Sequence, residues 1–368
     1  MKNNKIALFI PTLEIGGAEK VMINLAKGFS ELGYDIDIIL VKAKGDYLKQ
    51  VPKSVNIVDL NSKSAMASIS SLTTYLVNAK PYALISAIEN CNVAALIAKK
   101  RAKVDTKVIV TIHTTLSRIL EDVKNIKVKL NMILQKKLYK RADKIVAVAN
   151  NTAEDAAKVL GILRDDIDVI YNPIINDELI NKSKENVSGK FFNQEGVKNL
   201  LAVGRLNEAK GFDTLIKGFN LLLKQRTDVR LTILGEGEKR PELEQIIDEL
   251  GINDYVDMPG FCENPYAYMS KCSIFVLSSK WEGLSNVIIE AMSCGARIIS
   301  TDCKSGPKEI LDNGRYGKLV PVGDEQEICK GIIEVLNNDI IFEDYNNHLD
   351  KFKFDKIINE YIELIYNK

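Results

Sequence analysis

Short runs of aliphatic and β-branched residues alternate with stretches of helical periodicity along this chain, and the alternation is renewed after mid-chain. A brief apolar run bounded by turn residues reads as a buried strand, and a helical stretch before the next run carries the chain to a parallel neighbour. In the first half the strand-like runs are 6–10, 36–41, 83–87, 107–112, 144–148 and 168–171. Helical stretches there cover 18–32, 94–101, 123–141 and 152–160. The second half offers 199–203, 230–234, 255–258, 273–277, 296–300 and 318–320 with helices between, and a final helix over 354–366. Repeated βα units of this kind predict an α/β fold with two parallel-sheet domains.

The break falls after Tyr171-Asn172-Pro173. Proline cannot continue a ladder, and the polar stretch 176–193 lacks hydrophobic periodicity. The expected organisation is a first domain over 1–172, a linker over 173–198, a second domain over 199–350 and a closing helix over 351–368. At 368 residues each half is long enough to bury its own core. The net charge of +1 hides an asymmetry: through residue 172 there are 26 Lys and Arg against 17 Asp and Glu, leaving 24 against 32 beyond it. A basic half (+9) joined to an acidic half (−8) suggests that one of them faces an anionic surface.

The six cysteines, Cys91, Cys262, Cys272, Cys294, Cys303 and Cys329, show no CxxC pairing. That spacing argues for free thiols in a reducing cytoplasm and against a zinc ribbon or a disulfide framework. The apolar run after Lys5 is too short for a signal peptide and is followed by Glu14, so it reads as the first strand. No run approaches the roughly 18 apolar residues of a membrane span.

Several motifs sit where strands end. Gly16-Gly17-Ala18-Glu19 opens the first helix, where glycines let backbone N–H groups approach an anion at the helix's positive end. A plain strand-to-helix turn needs one glycine, and the residues alone leave both readings open. Gly204-Arg205-Leu206-Asn207-Glu208-Ala209-Lys210-Gly211 follows a buried strand, with two cations five residues apart. Arg offers a planar fork and Lys a movable point charge, a pair suited to gripping a diphosphate from two sides. Gly235 and Phe261 lie in glycine turns after the next two strands, which turn chemistry alone explains nearly as well.

Trp281-Glu282-Gly283-Leu284-Ser285-Asn286 leads into a helical run holding Glu290. Glu282 stands before the helix and Glu290 about two turns inside it. Each carboxylate accepts two hydrogen bonds, which suits vicinal diols on a sugar or ribose. Ser305-Gly306-Pro307 reads as a loop entering a further helix. His113 closes a buried strand and is followed by Thr-Thr; a lone strand histidine is usually a satisfied core residue. With His348 the only other histidine, no histidine-based metal site is available. The helix 123–144 carries Lys124, Lys127, Lys129, Lys136, Lys137, Lys140, Arg141 and Lys144 around an apolar stripe. Such a helix can lie on an anionic membrane, although most charge runs are solvated faces. Nucleic acid is disfavoured by the acidic second half and the lack of aromatic interleaving.

On these residues the chain resembles retaining glycosyltransferases of family 4, with their Glu-x7-Glu element. Over 260–307 it is similar to bacterial transferases that build polyprenyl-diphosphate-linked glycans. The resemblance implies the GT-B architecture, two Rossmann-like domains facing across a cleft, with the last helix returning to the first domain. It also implies a UDP-sugar donor, a lipid-linked saccharide acceptor, no cofactor and no metal. Catalytic roles would fall to Arg205 and Lys210 on the leaving diphosphate, Glu282 on the transferring sugar, and His113 near that sugar. Gly16, Gly17 and Glu19 would line the loop over donor diphosphate and acceptor, and Gly204, Gly235 and Phe261 the donor floor. Gly283, Leu284, Ser285 and Asn286 would contact donor, with Glu290 on the ribose. The expected setting is a cytoplasmic enzyme peripheral on the inner leaflet of the plasma membrane.

The rival readings are a GT-B-fold sugar-nucleotide epimerase, and a transferase with another donor or a soluble acceptor. A subunit that binds donor and only tethers a partner transferase is a third. The Glu-x7-Glu run disfavours the epimerase, and the set Arg205, Lys210, Glu282 and Glu290 disfavours the tether. A dehydrogenase would need the G-x-G-x-x-G fingerprint, which does not occur.

Overall fold

The computed structural model describes residues 4–121, 126–192, 194–340 and 342–367. The chain divides into two compact units, Met1–Ile174 with Lys351–Lys368, and Ile175–Asp350.

The first unit runs β1 (Lys5–Ile10), α1 (Gly17–Glu31), β2 (Asp35–Leu40), β3 (Asn56–Asp59), α2 (Ile69–Ala79), β4 (Ala83–Ala87) and α3 (Glu89–Ala102). It continues through β5 (Lys107–Ile112), α4 (Leu116–Glu121), α5 (Ile126–Leu138), β6 (Lys144–Ala147), α6 (Asn150–Leu160) and β7 (Ile167–Val169). Its seven strands are parallel, in the order β3-β2-β1-β4-β5-β6-β7. Period-2 alternation divides the apolar residues between the sheet's two faces. Ala7 and Phe9 of β1 join the core beneath α2, α3, α5 and α6, whereas Ile6, Leu8 and Ile10 join the core beneath α1.

The second unit contains α7 (Asp177–Ser183), β8 (Lys198–Val203), α8 (Phe212–Leu223), β9 (Val229–Leu234), α9 (Arg240–Leu250), β10 (Val256–Gly260) and α10 (Pro265–Lys271). After these come β11 (Ile274–Leu277), α11 (Asn286–Ser293), β12 (Ile298–Thr301), α12 (Pro307–Ile310), β13 (Lys318–Val320), α13 (Glu325–Leu336) and α14 (Asn346–Leu349). Six parallel strands lie in the order β10-β9-β8-β11-β12-β13. Strand order therefore reverses between β1 and β4 in one sheet and between β8 and β11 in the other. Open α/β sheets bind ligands at such points, outside the carboxyl ends of the strands.

The closing helix α15 (Phe354–Tyr366) belongs to the first unit. Phe354, Ile357, Ile358, Tyr361 and Ile365 form one helical stripe and are buried in the core beneath α1. Close approach is possible because α1 carries Gly28, where any Cβ would stand 2.4 Å from Ile358. Tyr361 meets Phe29 edge-on at 6.4 Å, Tyr366 stacks on Tyr82 at 4.7 Å, and Lys107 Nζ donates to the Ile365 carbonyl at 2.8 Å.

Several expectations need correction. The edge strand β3 and the helices α2 and α4 were not anticipated, and α3 begins at Glu89, five residues ahead of the expected start. The basic helix is α5 followed by a 3₁₀ turn over Tyr139–Arg141, and its expected beginning at 123–125 lies outside the described residues. The stretch 176–193 holds α7, because Asn176 caps Leu179 N–H at 2.8 Å and Leu179 is buried. Glu290 is the fifth residue of α11, so it lies little more than one turn inside the helix instead of two.

The stripe on α15 predicts a stability effect confined to the first unit. Tyr361→Ala should destabilise that unit by about 3 kcal/mol, the lower end for truncating a large buried aromatic. The single tryptophan, Trp281, lies in the second unit. Urea unfolding followed by far-UV circular dichroism should shift, while Trp281 fluorescence keeps its midpoint; equal shifts would refute the separation.

Candidate active site

In the second unit, four loops at the carboxyl ends of strands carry most of the expected residues. The loop after β8 runs from Gly204 to Gly211. Gly211 has φ +59°, and a Cβ there would lie 2.3 Å from the Ser278 carbonyl, so the turn into α8 requires glycine. The methylene stem of Lys210 lies across Gly204. Its ammonium then reaches Glu282 Oε1 at 2.6 Å, with both side chains largely buried. Loops following strands that are distant in sequence are thus joined at the point where strand order reverses. Arg205, on the same loop, is exposed.

The loop after β11 is held by its own short contacts. Ser278 Oγ donates to the Lys210 carbonyl at 2.8 Å, and Lys280 N–H donates to the Ala209 carbonyl at 2.7 Å. Ser279 Oγ donates to Glu282 Oε1 at 2.6 Å. Trp281 makes a single parallel bridge to Lys304 in the loop after β12. Leu284 is buried, and its carbonyl lies close to Gly306. Ser285 sits at φ +65°, strained for a residue with a Cβ, and precedes the first turn of α11. Among the described residues its hydroxyl is buried without a protein partner. An orphan hydroxyl beside the positive end of a helix, between two carboxylates, fits an anionic or hydroxyl-bearing ligand. Inside α11, Glu290 Oε1 accepts from the Tyr266 hydroxyl at 3.4 Å.

The turns after β9 and β10 meet through Gly235 N–H, which donates to the Gly260 carbonyl at 2.8 Å. Glu236 receives both Nε and Nη2 of Arg240, which also donates to the Met258 carbonyl at 3.1 Å. Phe261 follows and is 53% exposed. Burial, with the Glu282 carboxylate nearby, pushes the Cys303 thiol up to about 12, so it is protonated and unreactive at neutral pH.

The first unit places its candidates by itself. The Glu19 carboxylate folds back over Gly16, the position of the third helical residue in a capping arrangement. His113 follows β5 and is half-buried. Thr111 Oγ1 donates to the Ser86 carbonyl at 2.8 Å, so at 2.9 Å from His113 Nε2 it acts as acceptor. The ring proton therefore sits on Nε2 and leaves Nδ1 the acceptor. Burial lowers the ring's pKa to about 4, so the imidazole is neutral at pH 7. Asn92 braces the same strand end, donating to the Thr111 carbonyl at 2.9 Å and accepting from Ser86 Oγ at 2.7 Å.

The structure joins Lys210 to Glu282 and brings Ser285 and Glu290 onto one short segment, while Gly16, Gly17, Glu19 and His113 belong to the other unit. Ser278, Ser279 and Tyr266 escaped sequence reasoning. The available signal was the Ser-Ser pair directly after the apolar run 274–277, at a strand's carboxyl end. Among the described residues no group of three His, Cys, Asp or Glu side chains is arranged to hold a metal ion.

Comparison with known proteins accords with this geometry. The model for "Glycosyl transferases group 1" matches residues 183–352, and that for "Glycosyltransferase Family 4" matches 15–178. A Campylobacter jejuni protein, N-acetylgalactosamine-N,N'-diacetylbacillosaminyl-diphospho-undecaprenol 4-alpha-N-acetylgalactosaminyltransferase, is 30% identical over 353 residues, covering 93% of each chain. A second from that organism, a GalNAc-alpha-(1->4)-GalNAc-alpha-(1->3)-diNAcBac-PP-undecaprenol alpha-1,4-N-acetyl-D-galactosaminyltransferase, is 25% identical and covers 98% of each. Among solved structures, Anabaena HepE with UDP and glucose superposes with a TM-score of 0.81 at 18% identity, over 99% of both chains. A Rickettsia africae glycosyltransferase gives 0.82 at 19% over the full length of both. The chain belongs to the glycosyltransferases of GT-B fold.

Proposed function

We propose that this enzyme moves an N-acetylhexosamine, N-acetylgalactosamine or N-acetylglucosamine, from a UDP-linked donor to a polyprenyl-diphosphate-linked saccharide, with retention and without a metal. The observation that carries the reading is the Lys210–Glu282 pair at the reversal of strand order, with Arg205 on the same loop. The lipid-linked acceptor is supported by the names of the two Campylobacter relatives, both transferases acting on undecaprenol-linked sugars.

Lysine has three donors, so the bond to Glu282 leaves Lys210 two for phosphate oxygens, while Arg205 offers a fork. Together with the N-terminus of α11 they meet the charge that develops as the bond from C1 of the sugar to the diphosphate breaks. Glu282 accepts from hydroxyls of the transferring sugar, and Glu290 from the ribose. Ser285 Oγ supplies one more polar contact beside them. The acceptor oxygen bonds to C1 on the face the diphosphate leaves, and its proton passes to a departing phosphate oxygen, so no separate base is required. His113, neutral, accepts a sugar hydroxyl at Nδ1. The backbone around Gly16 and Gly17 approaches the acceptor, with Glu19 holding the turn. Gly204, Gly235 and Phe261 floor the nucleotide, and Gly283, Leu284 and Asn286 shape the turn above it.

Purified protein incubated with a panel of UDP-sugars and a polyprenyl-diphosphate disaccharide should transfer one N-acetylhexosamine with its anomeric configuration kept. Transfer only to soluble acceptors, or an epimerised donor in the absence of acceptor, would overturn this reading.

Mutant kinetics test the assigned roles. Arg205→Ala and Lys210→Ala should each lower turnover roughly a hundredfold, equivalent to about 3 kcal/mol of transition-state stabilisation. Glu290→Gln should mainly raise the donor's KM, because the ribose contact is made equally in ground and transition states, whereas Glu282→Gln should lower kcat. Wild-type turnover in folded Arg205 and Lys210 variants would remove the diphosphate assignment, and a reversed pattern between the glutamates would exchange their roles.

We also propose that the first unit docks on anionic membrane through α5. No described helix is long and apolar enough to cross a membrane. On α5, however, Leu130 and Ile133 are 59% and 61% exposed, one turn apart. Lys129, Lys136 and Lys137 share that exposed surface, and Lys140 and Arg141 extend it. Apolar residues ringed by cations favour shallow insertion, at about 1 kcal/mol for each cation near anionic lipid. Sedimentation with anionic vesicles should recover the wild type and release it with salt. A variant with Lys136, Lys137, Lys140 and Arg141 changed to Glu should stay in solution; equal binding by both would leave α5 a solvated face.

A further inference from the structure

Glu282 is held by more than its lysine. Ser279 is fully buried, and its hydroxyl shares Oε1 of Glu282 with Lys210 Nζ, both at 2.6 Å. Two other serines of this unit spend their hydroxyl on backbone: Ser270 donates to the Ser183 and Ala267 carbonyls, and Ser293 to that of Ile289. Ser279 spends its own on a charged side chain.

The serine itself has little freedom. Its carbonyl accepts from Thr301 Oγ1 at 2.6 Å, which ties it to the end of β12. On either side, Ser278 Oγ grips the Lys210 carbonyl and Lys280 N–H the Ala209 carbonyl. Three consecutive residues thus fasten the loop after β8, the carboxylate and the neighbouring strand to one another.

We infer that Ser279 is a positioning residue for glycosyl transfer, fixing the Glu282 carboxylate against Lys210 in the orientation the reaction uses. A glutamate side chain turns about three bonds, and an ammonium is a movable point charge that tolerates such rotation. A short hydrogen bond to a carboxylate is directional and roughly twice as strong as one between neutral groups. Donated from a backbone pinned on both sides, it selects one orientation, and small losses of orientation in a reacting complex are expensive in rate.

The inference rests on the sugar-contacting role proposed for Glu282, and a double-mutant cycle separates the two. Ser279→Ala should lower kcat roughly ten- to hundredfold, the range for losing a hydrogen bond to a charged group. UDP affinity measured by calorimetry should stay within about twofold, since the nucleotide contacts remain. In a Glu282→Ala background, adding Ser279→Ala should change kcat by less than about twofold, because nothing is left to orient. Ser279→Cys keeps the shape with a weak donor and serves if the alanine variant loses its fold.

Wild-type kcat in folded Ser279→Ala, or an equal loss on top of Glu282→Ala, would overturn the positioning role. If Glu282→Ala itself keeps full turnover, the role of Glu282 falls and this one with it. A crippled Glu282→Ala beside an unimpaired Ser279→Ala removes the positioning role alone.

Discussion

The order of strands in the second sheet is the constraint from which its candidate site follows. Placing β8 beside β11 makes their carboxyl ends adjacent, although β9 and β10 separate them along the chain. Parallel crossovers force each loop to emerge at the same edge. Only then can a lysine from one loop and a glutamate from another share a proton-rich contact at 2.6 Å. The glycines at 204 and 211 serve that meeting, one by lying under the lysine stem and the other by turning the chain beneath the Ser278 carbonyl.

Charge at this site is arranged in layers of decreasing exposure. Arg205 is exposed to solvent, Lys210 is half-committed to a carboxylate, and the backbone dipoles of α11 are fixed. Anions arriving from solvent would meet long-range attraction first and rigid donors last, an order that suits capture followed by orientation. In the first unit the neutral state of His113 adds no charge at pH 7. That histidine offers hydrogen-bond direction in place of electrostatic pull.

Much of the fold was legible because parallel strands and a strongly striped helix cannot disguise themselves: the strands Ala83–Ala87, Lys107–Ile112 and Lys318–Val320 and the helix Phe354–Tyr366 were read to the residue. Elements that lean on tertiary contacts were not. The strand β3 is an exposed edge with only Ile57 and Val58 apolar, too few to show a period. The helix α2 is rich in Ser, Thr and β-branched residues, poor helix formers that Leu72 and Leu76 hold in place by burial. The depth of Glu290 was misjudged because the left-handed Ser285 delays the helix, and nothing in a serine announces positive φ. The Lys210–Glu282 contact was beyond reach, since spacing within a chain carries no information about which strands become neighbours.

The membership of α15 in the first unit has a consequence for biosynthesis. Residues 175–350, 176 in number, emerge from the ribosome between the first unit's sheet and the helix that covers it. At about 5–20 residues per second, that interval is roughly 10–35 s. Throughout it Phe29, Ile6 and Ile36 lack the cover that Ile357, Ile358 and Tyr361 later provide. The nascent first unit is therefore an apolar client in waiting, exposed to aggregation or chaperone capture until the last turn of helix is released. A stop codon ahead of Phe354 would therefore harm a unit whose whole sheet had already been made.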